Sequence, residues 1–177
     1  ADSQKHFRKE MDAHGIQAVE VAKSDRSTSF TLSYDDKGER TLKVVADAGK
    51  IPISAVWREC HRARNLLIGP VLDELDIDEL LCLVQSSPAN IFLDPQGLLR
   101  QVGSDGKVEY SCDRDGLKRL VGSVDFVKPC CLEATVITGL EDPLESARVL
   151  VDWGAKAAIV TMGMRGSIVC SREVCLG

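Results

Sequence analysis

From about residue 50 the chain alternates between short apolar runs and helix-period stretches, and each apolar run stops at a strand-breaking residue. Leu66-Leu67-Ile68 stops at Gly69-Pro70, and Ile91-Phe92-Leu93 stops at Asp94-Pro95. Val124-Asp125-Phe126-Val127 runs into Lys128-Pro129, and Ala157-Ala158-Ile159-Val160 runs into Thr161. Short continuous runs of this kind suit strands covered on both faces. Between them Asp76 caps a helix carrying Ile77, Leu80, Leu81 and Val84, and Ser54 caps one carrying Val56 and Trp57. Leu117 to Leu120 and Leu132 to Ile137 read as short helices, the second ended by Gly139. Residues 143–153 read as a helix with Pro143 in its first turn. Strands alternating with helices predict an α/β fold whose mainly parallel sheet is flanked by helices.

The first fifty residues are different. Residues 3–14 form an amphipathic pattern with Phe7 and Met11 on one face, closed by Gly15. Ile16, Val19 and Val21 have strand character. Phe30 to Tyr34 alternates, turns at Asp35-Asp36-Lys37-Gly38, and alternates again from Thr41 to Val45. Residues 28–46 therefore predict a β-hairpin that projects from a single α/β domain spanning 1–177. The polar, glycine-rich stretch 101–116 reads as an exposed excursion.

A net charge of −5 with scattered Lys and Arg argues against a nucleic-acid partner. No run reaches the roughly 18 apolar residues of a membrane span, and the polar start is no signal peptide. Seven cysteines, an odd number, argue against a disulfide framework and for a reducing, cytoplasmic location. Cys60, Cys82 and Cys170 read as small core residues.

Three strand ends carry chemistry. Thr161-Met162-Gly163-Met164-Arg165-Gly166 follows an apolar strand, and glycines there let backbone approach a ligand at the edge where parallel sheets bind them. The same residues suit a turn between antiparallel strands. Glu133 opens a short helix, where a carboxylate either holds Mg²⁺ through water or complements the helix dipole. Asp94-Pro95-Gln96-Gly97-Leu98-Leu99-Arg100 offers Asp94 to a cleft's polar network and Arg100 to a phosphoryl group, or is a turn with a solvated Arg. Gly69 and Pro70 border the same edge or simply make a turn.

In order and spacing, residues 124–139 and 155–170 resemble the ribokinase-like (PfkB) sugar and nucleoside kinases. In that family one strand runs into K-P-N-x-x-E and a later one into T-x-G-x-x-G. A segment D-T-x-G-A-G-D, carrying the catalytic Asp, then follows. The resemblance implies ATP and Mg²⁺ as cofactors and a sugar or nucleoside hydroxyl as acceptor. It implies Thr161, Gly163, Gly166 and Cys130 at the nucleotide phosphates and Glu133 reaching the metal through water. Asp94, Arg100, Gly69 and Pro70 would line the substrate cleft. The hairpin 28–46 would be a lid that closes over sugar and pairs two subunits in a homodimer. Cys130 stands where the family has Asn, and a thiol is a poor substitute for an amide and a poor Mg²⁺ partner. No D-T-x-G-A-G-D segment occurs before Gly177, so the resemblance implies the middle portion of a kinase, nearly inactive alone. Two other readings stand beside it: a degenerate kinase-like domain that binds a ligand or partner without catalysis, and an unrelated α/β protein that binds a phosphorylated ligand.

Overall fold

The computed structural model describes residues 2–16, 24–36 and 40–177. Helix α1 (Asp2–Ala13) precedes a hairpin of β1 (Ser29–Tyr34) and β2 (Arg40–Ala46). The body then runs α2 (Trp57–Arg62), β3 (Asn65–Ile68), α3 (Ile77–Ser86) and β4 (Asn90–Leu93). A second small hairpin, β5 (Arg100–Val102) and β6 (Val108–Tyr110), leads to α4 (Arg114–Val121) and β7 (Phe126–Val127). The chain finishes with α5 (Cys131–Thr138), α6 (Pro143–Asp152), β8 (Ala157–Thr161), β9 (Ser167–Ser171) and β10 (Cys175–Leu176).

The body holds a six-stranded sheet in the order β10-β9-β8-β7-β4-β3. β3, β4, β7 and β8 are parallel, as their apolar runs predict, and β9 and β10 are antiparallel additions at one edge. The chain steps across the parallel strands in one direction only. Right-handed crossovers in one direction place every connecting helix on the same face. Accordingly α3 packs on α4, α4 on α5 and α5 on α6. Ile68, Ile91, Leu93, Val127, Ala158 and Val160 face these helices and form the core with Leu80, Leu117, Leu120 and Leu150.

The opposite face carries none of the connecting helices α3 to α6. Register aligns Leu67, Phe92 and Phe126 in a row across β3, β4 and β7. Leu67 is 76% exposed, and the Phe92 and Phe126 rings stack with centroids 4.4 Å apart. Continuous apolar runs report the demand for cover on both faces; the direction of winding decides which face receives it from these residues.

Other local expectations change for identifiable reasons. Stretch 101–116 is ordered by β5, β6 and the start of α4, and Lys107, just before β6, bridges Lys43 of the first hairpin. The Val44 N–H donates to the Gly106 carbonyl at 2.9 Å, so the two ribbons adjoin. Ser54 lies inside a 3₁₀ turn (Ile53–Ala55), and Val56 instead takes the N-cap position of α2. Cys82 is exposed on α3. Cys170 is fully buried as expected, yet it is bonded to Cys175 across the β9–β10 hairpin, against the expectation of free thiols. The turn at Lys37-Gly38 and the strand character of Val19 and Val21 fall outside the described residues. No helix among the described residues is long and apolar enough to cross a membrane.

Asp125 stitches the amino ends of the strands. Its carboxylate accepts from the Ile91 N–H at 2.7 Å and pairs with Lys156 at 2.5 Å. Burial works to raise its pKa, but the Lys156 ammonium and the Ile91 N–H outweigh this and hold the carboxyl below its ordinary value. A depressed folded pKa contributes stability above the unfolded value near 4 and loses it as pH falls through the lower folded value. Asp125→Asn should therefore flatten the acid limb of a melting-temperature profile measured from pH 2 to 6. An unchanged acid limb would show that Asp125 is not a source of the acid sensitivity.

Candidate functional site

The carboxyl ends of the four parallel strands are locked to one another by backbone hydrogen bonds. The Asp94 N–H donates to Ile68 at 2.8 Å, Lys128 to Leu93 at 2.9 Å, and Thr161 to Pro129 at 3.0 Å. Prolines at positions 70, 95 and 129 then turn the chain off the sheet, because proline has no N–H to continue a ladder. The result is one edge along which Gly69-Pro70, Asp94, Lys128, Cys130 and Thr161 lie in sequence order. Parallel sheets bind ligands at this edge.

At its centre Lys128 Nζ meets the Asp94 carboxylate at 3.0 Å. The residue-level reading missed Lys128, although the Lys-Pro pair after a strand was its signal. One strand further along, Cys130 bridges Thr161 in parallel register, so two residues 31 apart in sequence become neighbours. Cys130 is the N-cap position of α5, and the Glu133 carboxylate accepts its N–H at 2.7 Å. Glu133 is only 4% exposed. It caps its own helix from within the turn that faces Thr161.

Burial is the largest influence on the Cys130 thiol and pushes its pKa up, with the nearby Glu133 charge acting in the same direction. The thiol is therefore neutral at pH 7 and brings no negative charge to the edge. No group of three or more His, Cys, Asp or Glu side chains suited to a metal exists among the described residues. A single carboxylate fits only a cation that keeps most of its waters, as Mg²⁺ does.

A 3₁₀ turn (Gly163–Arg165) joins β8 to β9, closed by the Met162 N–H to the Gly166 carbonyl at 2.8 Å. The strands it joins are antiparallel, so the turn reading of the sequence holds. Gly163 and Gly166 have φ of 59° and 88°, in the region that favours glycine, and a Cβ built on either meets open space. The backbone there is accessible.

Arg100 does not sit at the strand edge. It is 5% exposed, and its Nη1 donates to the Val71 carbonyl at 3.2 Å. The Gln96 amide oxygen, turned toward the guanidinium, accepts from Nη1 at 2.7 Å and Nη2 at 3.0 Å. The guanidinium carbon lies 5.9 Å from the Phe30 ring centroid, so this side chain joins the hairpin to the cleft turns. Gln96 and Phe30 are partners that the sequence did not reveal.

No family model matches the chain. It is 44% identical over 163 residues to a cytidine kinase of Thermococcus kodakarensis, across 90% of this chain and 52% of that protein. It is 27% identical to an ATP-dependent 6-phosphofructokinase of Thermoanaerobacterium thermosaccharolyticum, across 96% of this chain and 53% of that protein. A solved pyrophosphate-dependent kinase in the ribokinase family superposes with a TM-score of 0.80 at 23% identity, covering 97% of this chain and 60% of the other. The chain thus spans about half the length of the curated relatives it matches. On these similarities in sequence and in fold, the chain belongs to the ribokinase-like (PfkB) family of kinases.

Proposed function

We propose that this edge is part of the phosphoryl-transfer site of a sugar or nucleoside kinase that uses ATP and Mg²⁺. The observation that carries the reading is the Cys130–Thr161 bridge. It joins the Lys128–Glu133 segment to the Thr161–Gly166 turn at the end of adjacent parallel strands. The exposed backbone of Gly163 and Gly166 suits a phosphate, which accepts N–H donors without needing a side chain. Glu133 would hold Mg²⁺ through water, and the metal would supply charge shielding at the phosphate. Lys128, held by Asp94, orients beside the same phosphates. Gly69, Pro70 and Asp94 border the acceptor. Arg100 fixes that side of the cleft to the hairpin, which acts as a lid excluding water. The cytidine kinase relationship favours a nucleoside as acceptor over a free sugar.

A lid ribbon with Leu32 and Tyr34 exposed suits pairing with a second subunit, since an isolated ribbon is marginal. The absence of a D-T-x-G-A-G-D segment from these 177 residues separates binding from turnover. The chain alone should bind Mg²⁺-ATP weakly and show no cytidine- or sugar-dependent ATP consumption. Turnover abolished by Glu133→Ala would overturn that separation.

Cys130 tests the phosphate site directly. An amide at this position would donate a hydrogen bond that the thiol makes poorly. Cys130→Asn should tighten Mg²⁺-ATP binding by about 1.5 kcal/mol, roughly tenfold, in a calorimetric titration. Equal affinities would mean that residue 130 does not face the phosphates. Running pyrophosphate beside ATP identifies the donor class.

A further inference from the structure

Cys170 and Cys175 stand opposite each other in the β9–β10 register and are joined as a disulfide, while Cys60, Cys82, Cys112, Cys130 and Cys131 are free thiols. The two bonded residues are not equivalent. Cys170 is fully buried in the core. Cys175 is half-buried and lines an open cavity of about 320 Å³ between α6 and the turn after β9. Arg148 and Asp152 of α6 and Arg172 and Glu173 of the turn share the wall of that cavity. The two arginines offset the two carboxylates, so an approaching thiolate meets no net repulsion. The turn itself is held by the Ser171 N–H, which donates to the Val174 carbonyl at 2.8 Å. The Ser171 hydroxyl accepts from the Glu173 and Val174 N–H groups, each at 3.3 Å. The bonded cysteines are only five residues apart in sequence. A short loop restrains the unfolded chain less than a long one, so the bond acts mainly on this turn.

We propose that the Cys170–Cys175 bond is a redox latch on this turn, opened by a dithiol reductant that attacks Cys175 Sγ from the cavity beside α6. A thiolate of the reductant bonds to Cys175 Sγ and the Cys170–Cys175 bond breaks. Its electron pair leaves on Cys170 Sγ, which takes up a proton. Burial closes the other direction of attack, because no reductant reaches Cys170. The same burial disfavours the departing thiolate, so the latch opens more slowly than an exposed disulfide. Register then selects the reductant. Cys170 and Cys175 remain opposite each other, so the Cys170 thiol returns to expel a monothiol faster than a second monothiol arrives. A dithiol escapes this return. Its second thiol attacks the mixed disulfide, closes its own S–S bond and releases Cys175, which is protonated in turn. The protein gains two electrons and two protons, and the dithiol becomes a disulfide. With the bond open, only the Ser171 hydrogen bonds and the β9–β10 ladder hold the turn.

The test reads the thiols themselves and needs no turnover. The folded chain is incubated at equal thiol concentration with dithiothreitol, with a thioredoxin-type CxxC protein, or with glutathione, then alkylated in urea. Intact mass should show five alkylated cysteines in the latched chain and seven in the opened one. Dithiols should give seven, and glutathione should leave most of the chain at five. Opening by dithiothreitol but not by the CxxC protein identifies the reductant as a small dithiol. A CxxC protein whose second cysteine is replaced by serine should be trapped on Cys175, read by peptide mass spectrometry. Opening should speed hydrogen exchange of the Ser171 amide roughly tenfold and leave the β8 amides protected. Cys175→Ser has no bond to open and should show the fast Ser171 exchange without any reductant. Opening only in urea, equal opening by glutathione, or a trap on Cys170 overturns the proposal. So does Ser171 exchange that is the same in the bonded and reduced chains.

Discussion

Gly97→Ala is expected to destabilise the chain by about 3 kcal/mol, at the upper end for overpacking a tight contact. A Cβ on Gly97 would stand 2.4 Å from the Pro70 carbonyl carbon and 2.5 Å from the Val71 nitrogen. Both are backbone atoms, so no side-chain rotation relieves the contact. Gly97 also donates to the Pro70 carbonyl at 3.0 Å and accepts from the Asp73 N–H at 2.7 Å, which locks the turn after β3 to the turn after β4. The substitution should separate these turns and shift the Arg100 side chain that bonds to Val71. Urea unfolding measures the first effect. A change below about 1 kcal/mol would show that the two turns move apart without cost.

A paired substitution tests the one-sided core. Leu117 is fully buried on α4, and Leu117→Ala should cost about 3 kcal/mol through lost transfer energy and a residual cavity. Leu67→Ala, on the sheet's open face, should change stability by no more than about 0.5 kcal/mol in the chain alone. Equal costs for the two would mean that both faces are covered in solution.

Much of the fold was legible because its signals are local. The strands after Asn65, Asn90 and Ala157 fall where short apolar runs meet Gly, Pro or Thr. Helix α3 starts at its Asp76 cap and α6 has Pro143 in its first turn, as the sequence predicts; the Asp142 cap of α6 is seen in the structure. The hairpin at 29–46 follows from alternation and a polar turn. The stretch after Arg100 is exposed, as expected, and is ordered as a hairpin by the local β5–β6 ladder and by one distant bond. Gly106 serves Val44, a pairing that no local pattern carries. The site divides in the same way. Glycines and prolines at strand ends mark the edge in sequence. Lys128 with Asp94, and Arg100 with Gln96 and Phe30, become visible only when their strands are adjacent.

By itself the sequence determined the element types, the parallel character of the central strands, and the residues that stand at their carboxyl ends. Each of these depends on the chemistry of a few neighbouring residues: apolar periodicity, a missing proline N–H, a side-chain cap. Tertiary structure alone decided which face of the sheet the helices cover, that Cys170 would meet Cys175, and that Arg100 would be buried under Phe30. Those outcomes depend on the direction in which the chain winds between strands and on groups far apart in sequence. Apolar runs state that a surface must be covered; only the path of the chain through space states what covers it.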